Sequence, residues 1–208
     1  MSIFKIYHKY FIPAKLPIVL YLLYPAFFFG LVALIGAASA HPMIILFTIG
    51  MLIMDMECLL DVFCFMGIAG MEKNKLDFLQ TSAKGMLVLK KGIIADGIRR
   101  LISTVLLSTM AVLLIQLQAP VLTIIFSILC TLGITELALI IIRFFTGIYI
   151  AALVSGFSAF LLGIAFFLPP INIVSIVIAA LLYLILFYIG RLIILEKGKK
   201  YYYDTFNS

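Results

Sequence analysis

Three stretches of this chain, Leu16–Met54, Leu101–Thr135 and Phe144–Gly190, contain no acidic residue, lysine or arginine. A helix crosses the hydrocarbon core of a bilayer with about 20 apolar residues, so each stretch is long enough for two crossings. Each is also interrupted near its middle by a turn signal: Ser39-Ala40-His41-Pro42, Gln118-Ala119-Pro120 and Pro169-Pro170. Proline lacks an amide hydrogen and disfavours helix in the residue before it, so it marks a hairpin tip. The expected fold is an all-α polytopic membrane protein with six transmembrane helices arranged as three hairpins. The spans run over Leu16–Ala38, Met43–Met66, Ile98–Gln116, Val121–Ile142, Gly147–Leu168 and Ile171–Leu195. Only 12% of residues are charged, against about 25% in a water-soluble domain, which excludes a soluble globular fold.

The basic residues orient these spans. All 15 Lys and Arg lie before the first hairpin, between hairpins or after the third, and none lies at a tip. Cytoplasmic loops carry the excess of Lys and Arg, so both termini and both inter-hairpin connections are expected in the cytoplasm of a plasma-membrane protein. The net charge of +6 then faces anionic inner-leaflet lipid, and no nucleic-acid partner is required. Residues 1–15, with "IFKIYHKYFIPAK", alternate aromatic and basic side chains as an amphipathic surface segment does. The tail, 196–208, sets three tyrosines beside lysines, an interfacial anchor. Residues 1–208 thus form one membrane domain. Ala37-Ala38-Ser39-Ala40 resembles a signal-peptide cleavage site, but the apolar run before it exceeds the usual 7–15 residues or so, so an uncleaved first helix is expected. Cys58, Cys64 and Cys130 match neither a redox pair nor a zinc site. His8 and His41 are the only histidines, which excludes a His-based metalloprotease.

Charges inside the spans point to function. The second span reads "MLIMDMECLLDVFCF", with Asp55, Glu57 and Asp61. Glu57 and Asp61, four apart, share a helix face, and Asp55 points nearly the opposite way. At 1.5 Å per residue, Asp55 lies roughly 20 Å and Asp61 roughly 28 Å below the outer tip. An acid at a helix centre costs about 2.5–3.5 kcal/mol to insert, so these groups are expected to face protein or water. Glu136 lies at a similar depth with Arg143 on the same face, and Arg99 and Arg100 open the third span at the cytoplasmic edge. Two readings stand: the acids pair with Arg99, Arg100 and Arg143 and lock helices together, or they line a polar cytoplasmic vestibule for a cationic or amphipathic substrate. A proton relay is a third. In the fifth span Ala151, Ser155, Ala159 and Gly163 form a stripe of small side chains, the kind of surface on which membrane helices approach closely. It faces either another helix of this chain or another subunit.

One segment interrupts the apolar chain: "GMEKNKLDFLQTSAKGMLVLKK", residues 70–91. Leu76, Leu79 and Ala83 recur at helical spacing with Phe78 beside them, Gly85 breaks the pattern, and Met86–Leu89 runs on towards the membrane. This describes a short amphipathic helix, a break and a second surface helix. The alternative is a solvated loop, although joining two hairpins needs only a few residues.

Glu72, Leu76, Asp77 and Leu79, followed by Lys90 and Lys91 before the third span, resemble the membrane subunit (permease) of ABC-2-type exporters. The resemblance covers the six-span plan and the amphipathic N-terminus as well. The usual proline after the Leu-rich run is replaced by Thr81-Ser82-Ala83, and the third hairpin leaves no room for the family's outer re-entrant element. The resemblance implies that 71–92 is a cytoplasmic coupling segment docking into a separate ABC ATPase. Leu76, Phe78 and Leu79 would be the apolar contacts, with Glu72, Asp77 and Lys84 as polar flanks. It further implies a dimer, with a second copy or a homologous permease, and export of a substrate such as an amphipathic or cationic peptide. The chain holds no GxxxxGK[ST] phosphate-binding motif, so it is not expected to be an enzyme, and ATP and Mg would be bound by the partner. Two other classes remain open: an ion- or proton-coupled secondary transporter using the buried carboxylates, and a non-transporting assembly or immunity protein of the membrane.

Overall fold

The computed structural model describes residues 4–5, 22–38, 41–69, 85–144, 148–167 and 170–204. Among them the regular structure is helical: α1 Tyr24–Ala38, α2 Pro42–Ala69, α3 Gly85–Leu114, α4 Val121–Phe144, α5 Ile148–Phe167 and α6 Ile173–Asp204. Many of these helices are rich in Ile and Val, poor helix formers in water. In hydrocarbon, however, every backbone amide must be satisfied within its own segment, and that requirement overrides propensity.

Among the described residues four helices are long and apolar enough to cross a membrane: Pro42–Asp61, Leu87–Leu114, Val121–Ile142 and Ile173–Ile193. The apolar segments described in α1 and α5 are shorter, Tyr24–Ile35 and Gly156–Phe167. On α6, large side chains such as Ile173, Val177, Leu181, Leu184 and Tyr188 are exposed along the helix. A soluble monomer does not carry so long an apolar face, and the chain is a multi-pass membrane protein.

The turns explain where helices stop. Pro42 is the first residue of α2, a position where its missing amide hydrogen costs nothing, and the His41 carbonyl accepts from the amides of Ile44 and Ile45. After α3, Gln116 takes a left-handed backbone at φ 49°. Its amide donates to the Leu113 carbonyl and the Leu117 amide donates to Val112, the paired bonds of a Schellman cap with glutamine where glycine is usual. Asn172 starts α6 reciprocally: Asn172 Oδ1 accepts from the Ser175 amide at 2.9 Å, and Ser175 Oγ accepts from the Asn172 amide at 3.0 Å. This is a capping box in which Ser replaces the usual acidic or amide side chain.

Packing is organised around α2 and α4. On one side α2 meets α1 and α3, burying Tyr24, Phe28 and Val32 with Ile45, Ile49, Ile53, Leu107 and Ala111. On the other it meets α4 and α5, burying Leu46 with Phe126, Leu162 and Phe166, and Met54 and Cys58 with Ala138, Leu139 and Val154. Helix α6 lies along α4, the most extensive of the helix pairings. Two close approaches depend on glycine. A Cβ on Gly50 would sit 2.6 Å from Thr131 Oγ1 and 3.3 Å from Leu162 Cδ2, and one on Gly97 would overlap the Phe187 ring.

The beginning of α3 differs from expectation. The helix starts at Gly85, not Ile98, and residues 85–92 continue unbroken into the span. Val88, Leu89, Ile93, Ala95, Asp96, Arg99 and Arg100 are buried, while Leu87, Lys90 and Ile98 are exposed. The buried set recurs every three to four residues, so an amphipathic helix carries through Lys90, Lys91 and Asp96, where a charge-free run ends. Arg99 and Arg100 consequently sit near the middle of α3 rather than at its start. Helix α6 likewise extends through 196–204, the first part of the expected tail.

Candidate functional site

Three sequence-distant positions meet at one level of the bundle. Glu57 stands fifteen residues from the start of α2, Arg99 fifteen from the end of α3, and Glu136 fifteen from the start of α4. At 1.5 Å per residue each lies about 22 Å from its turn.

The contacts are specific. Arg99 forms a fork with Glu57, Nη1 to Oε1 at 3.0 Å and Nη2 to Oε2 at 2.6 Å, and Nη2 also reaches Asp96 Oδ1 at 3.1 Å. Arg100 turns to the other side of α3, where Nε donates to Glu136 Oε1 at 2.9 Å. Its Nη1 lies 2.9 Å from Asp96 Oδ2, an ion-pair contact without good hydrogen-bond alignment. Ser103 Oγ has one proton for either Glu57 Oε1 at 2.9 Å or the Arg100 carbonyl at 3.1 Å. Glu57 is 0% exposed and Arg100 2%. Asp96 therefore bridges two adjacent arginines, each of which clasps a glutamate on a different helix.

Chemically the cluster is a clamp. Bidentate guanidinium–carboxylate pairs fix orientation as well as charge, and in a low-dielectric interior they hold only when both partners are present. Neither Glu57 nor Glu136 lies open to a vestibule; both are buried against arginine. Asp61 is buried one turn beyond Glu57, and Asp55 is half-buried on the other side of α2. Among the described residues no group of His, Cys, Asp and Glu has the arrangement of a metal site. Cys58 and Cys130 are buried free thiols.

Other expected residues are placed as follows. Ala159 packs beside Met54, Cys58 and Val154, and a Cβ on Gly163 would touch the Phe47 ring at 3.7 Å. The C-terminal half of the small-residue stripe thus faces helices of the same chain. For Ala151, Ser155 and Arg143 only the helix backbone is described. Glu72, Leu76, Asp77, Phe78, Leu79 and Lys84 lie outside the described residues.

Asp96, the hub of the cluster, is invisible to a search for charge-free runs, because it falls in the charged connection between them. Its signal was present all the same: an acid three and four residues before two arginines is a helical ion-pair spacing. Also unmarked were Thr123, Ser127, Thr131 and Thr135, one buried stripe along α4. Thr135 Oγ1 donates back to the Thr131 carbonyl at 2.6 Å, which satisfies the hydroxyl without a second helix.

The fold and site together define a helical multi-pass membrane protein with a buried arginine–carboxylate clamp joining three helices. The chain matches no protein-family model, no curated protein and no solved structure.

Proposed function

We propose that this chain is the membrane-spanning subunit of an ATP-driven exporter, with six spans, both termini in the cytoplasm of a plasma-membrane location, and a separate ABC ATPase docked on residues 71–84. The observation that carries the reading is the continuity of α3. The helix begins directly after the proposed docking segment and runs unbroken to Arg99 and Arg100, about 21 Å along its axis. A displacement at 71–84 is therefore delivered to the clamp, and through Glu57 and Glu136 to α2 and α4 at one level. Stiff coupling of this kind suits a subunit that converts a partner's nucleotide-driven motion into rocking of helices, and it requires no nucleotide site in this chain.

In this reading Glu57, Asp96, Arg99, Arg100 and Glu136 transmit force, and Asp55 and Asp61 border the path taken by an amphipathic or cationic peptide. The subunit works as a dimer, with itself or with a homologous permease. Affinity purification in mild detergent tests the proposal, with wild type beside a Leu76→Asp/Leu79→Asp double variant. The expected result is a Walker-motif ATPase and ATP hydrolysis retained by the wild type and lost from the variant. Wild type that brings down no ATPase, even after cross-linking in intact membranes, overturns the reading and returns the carboxylates to consideration as an ion-coupled pathway.

A further inference from the structure

Helix α6 meets the bundle along one seam. Ala179, Ala180, Tyr183, Leu186, Phe187 and Gly190 are buried or half-buried at helical spacing, while Leu182, Leu184, Ile185 and Tyr188 are exposed. The seam is small at both ends and bulky in the middle. There the rings of Tyr183 and Phe187 follow one another by one turn, with centroids 6.3 Å apart. Of the four long apolar helices described, α6 is the least buried, so it forms an outer wall of the bundle rather than part of its centre.

The two aromatic residues are seated by glycines that flank the clamp. A Cβ on Gly97 of α3 would overlap the Phe187 ring, and one on Gly133 of α4 would lie 3.9 Å from the Tyr183 backbone nitrogen. Arg100 follows Gly97 by three residues, and Glu136 follows Gly133 by three. Three residues along a helix return to nearly the same face, so both partners of the ion pair adjoin the surface on which α6 rests. Tyr183 lies within electrostatic reach of both Glu136 and Arg100. The pair itself is closed off, with Arg100 2% and Glu136 1% exposed. Closure matters because a guanidinium–carboxylate pair couples strongly only where water is kept out, and an exposed pair is screened to little.

We propose that Tyr183 and Phe187 are positioning residues of the clamp, an aromatic seal on α6 that keeps water and lipid headgroups from the Arg100–Glu136 pair. Phe187 in the Gly97 notch is its latch. The strength of the clasp between α3 and α4 is then set by whether α6 is seated, which makes α6 a controlling wall of the clamp and not only a lipid-facing helix. The seal rests on the geometry of the clamp and needs neither an ATPase nor transport, so its test is separable from that of the exporter reading.

The experiment measures the coupling between Arg100→Met and Glu136→Met by reversible unfolding of the full chain in mixed micelles, in three backgrounds. With wild-type α6 the coupling is expected at about 30-fold or more in the unfolding constant. In Phe187→Ala it should fall below about fivefold, the value of an exposed pair, and shrink further between about 0.05 and 0.5 M KCl, as a screened pair does. Ile176→Ala, on the same helix and packed beside Leu46 and Phe126, should lower stability yet leave the coupling and its salt response as in wild type. Phe187→Leu carries the same test with a smaller cavity, should the alanine variant not fold, and should lower the coupling about two- to threefold, a few tenths of a decade to half a decade. A coupling unchanged in both Phe187 variants, or one that falls equally in Ile176→Ala, would overturn the proposal: the first because the pair needs no seal, the second because any loosening of α6 has the same effect.

Discussion

Removing Arg100 is the most informative single perturbation of this molecule. Its Nε lies 2.9 Å from Glu136 Oε1 and its Nη1 2.9 Å from Asp96 Oδ2. At 2.9 Å two unit charges attract by about 6 kcal/mol at an effective dielectric near 20, and most of that is offset by the cost of dehydrating both ions. The net worth of the pair is therefore small, whereas taking away one partner costs about 3–5 kcal/mol. Arg100→Met keeps a long apolar side chain in place and takes the guanidinium from Glu136, so a loss in that range is expected. Glu136→Met leaves Arg100 with Asp96 and should cost less, about 2–3 kcal/mol. The double variant removes both charges, leaves Asp96 with Arg99, and should fall within about 1–2 kcal/mol of wild type. Reversible unfolding in mixed micelles at graded denaturing-detergent fractions measures all four corners of this cycle. A coupling of about 2 kcal/mol or more is expected. Single losses that simply add to within about 0.5 kcal/mol, as distant independent sites do, would refute the clamp.

Two smaller changes probe packing and capping by the same unfolding assay. Gly50→Ala forces a methyl against Thr131 Oγ1 on the central helix and should cost about 1–3 kcal/mol, as overpacking does. Thr131→Ala in the same chain should recover most of that, and a Gly50→Ala protein as stable as wild type would show that α2 and α4 do not approach so closely. Asn172→Ala removes the acceptor that holds the Ser175 amide and should cost about 0.5–2 kcal/mol. An unchanged midpoint would mean that water or lipid headgroups satisfy the start of α6 equally well.

The clamp also bears on how the charged residues of α2 divide their work. Glu57 and Asp61 share a face of α2 and are both buried, while Asp55 turns away and is half-buried. Both Glu57 oxygens face Arg99, so a guanidinium already counters its charge. Neutralising Glu57 therefore acts on stability before it acts on any transported species.

The membrane class and the turns were legible in the sequence because they depend on local properties. Charge-free runs, Pro42, Pro120 and the basic connections each constrain the chain within a few residues, and hydrocarbon leaves the backbone little choice but helix. The same local reading misplaced the start of α3, because it treated charge as an end of helix, whereas Lys90, Lys91 and Asp96 ride on one that is amphipathic. It marked Glu57, Arg99, Arg100 and Glu136 as groups needing partners, since burying a charge is costly wherever it lies. Which acid meets which arginine was decided only by the tertiary structure. Glu57 and Glu136 are both at the right depth for either arginine, and the choice follows from adjacent residues on α3 pointing to different neighbours, Arg99 to α2 and Arg100 to α4. Asp96 joins the two because one turn of helix places it beneath both. The burial of Tyr24 among Ile45, Ile49, Ile53 and Leu107 is likewise a product of packing, since no periodicity along α1 tells which neighbours it meets.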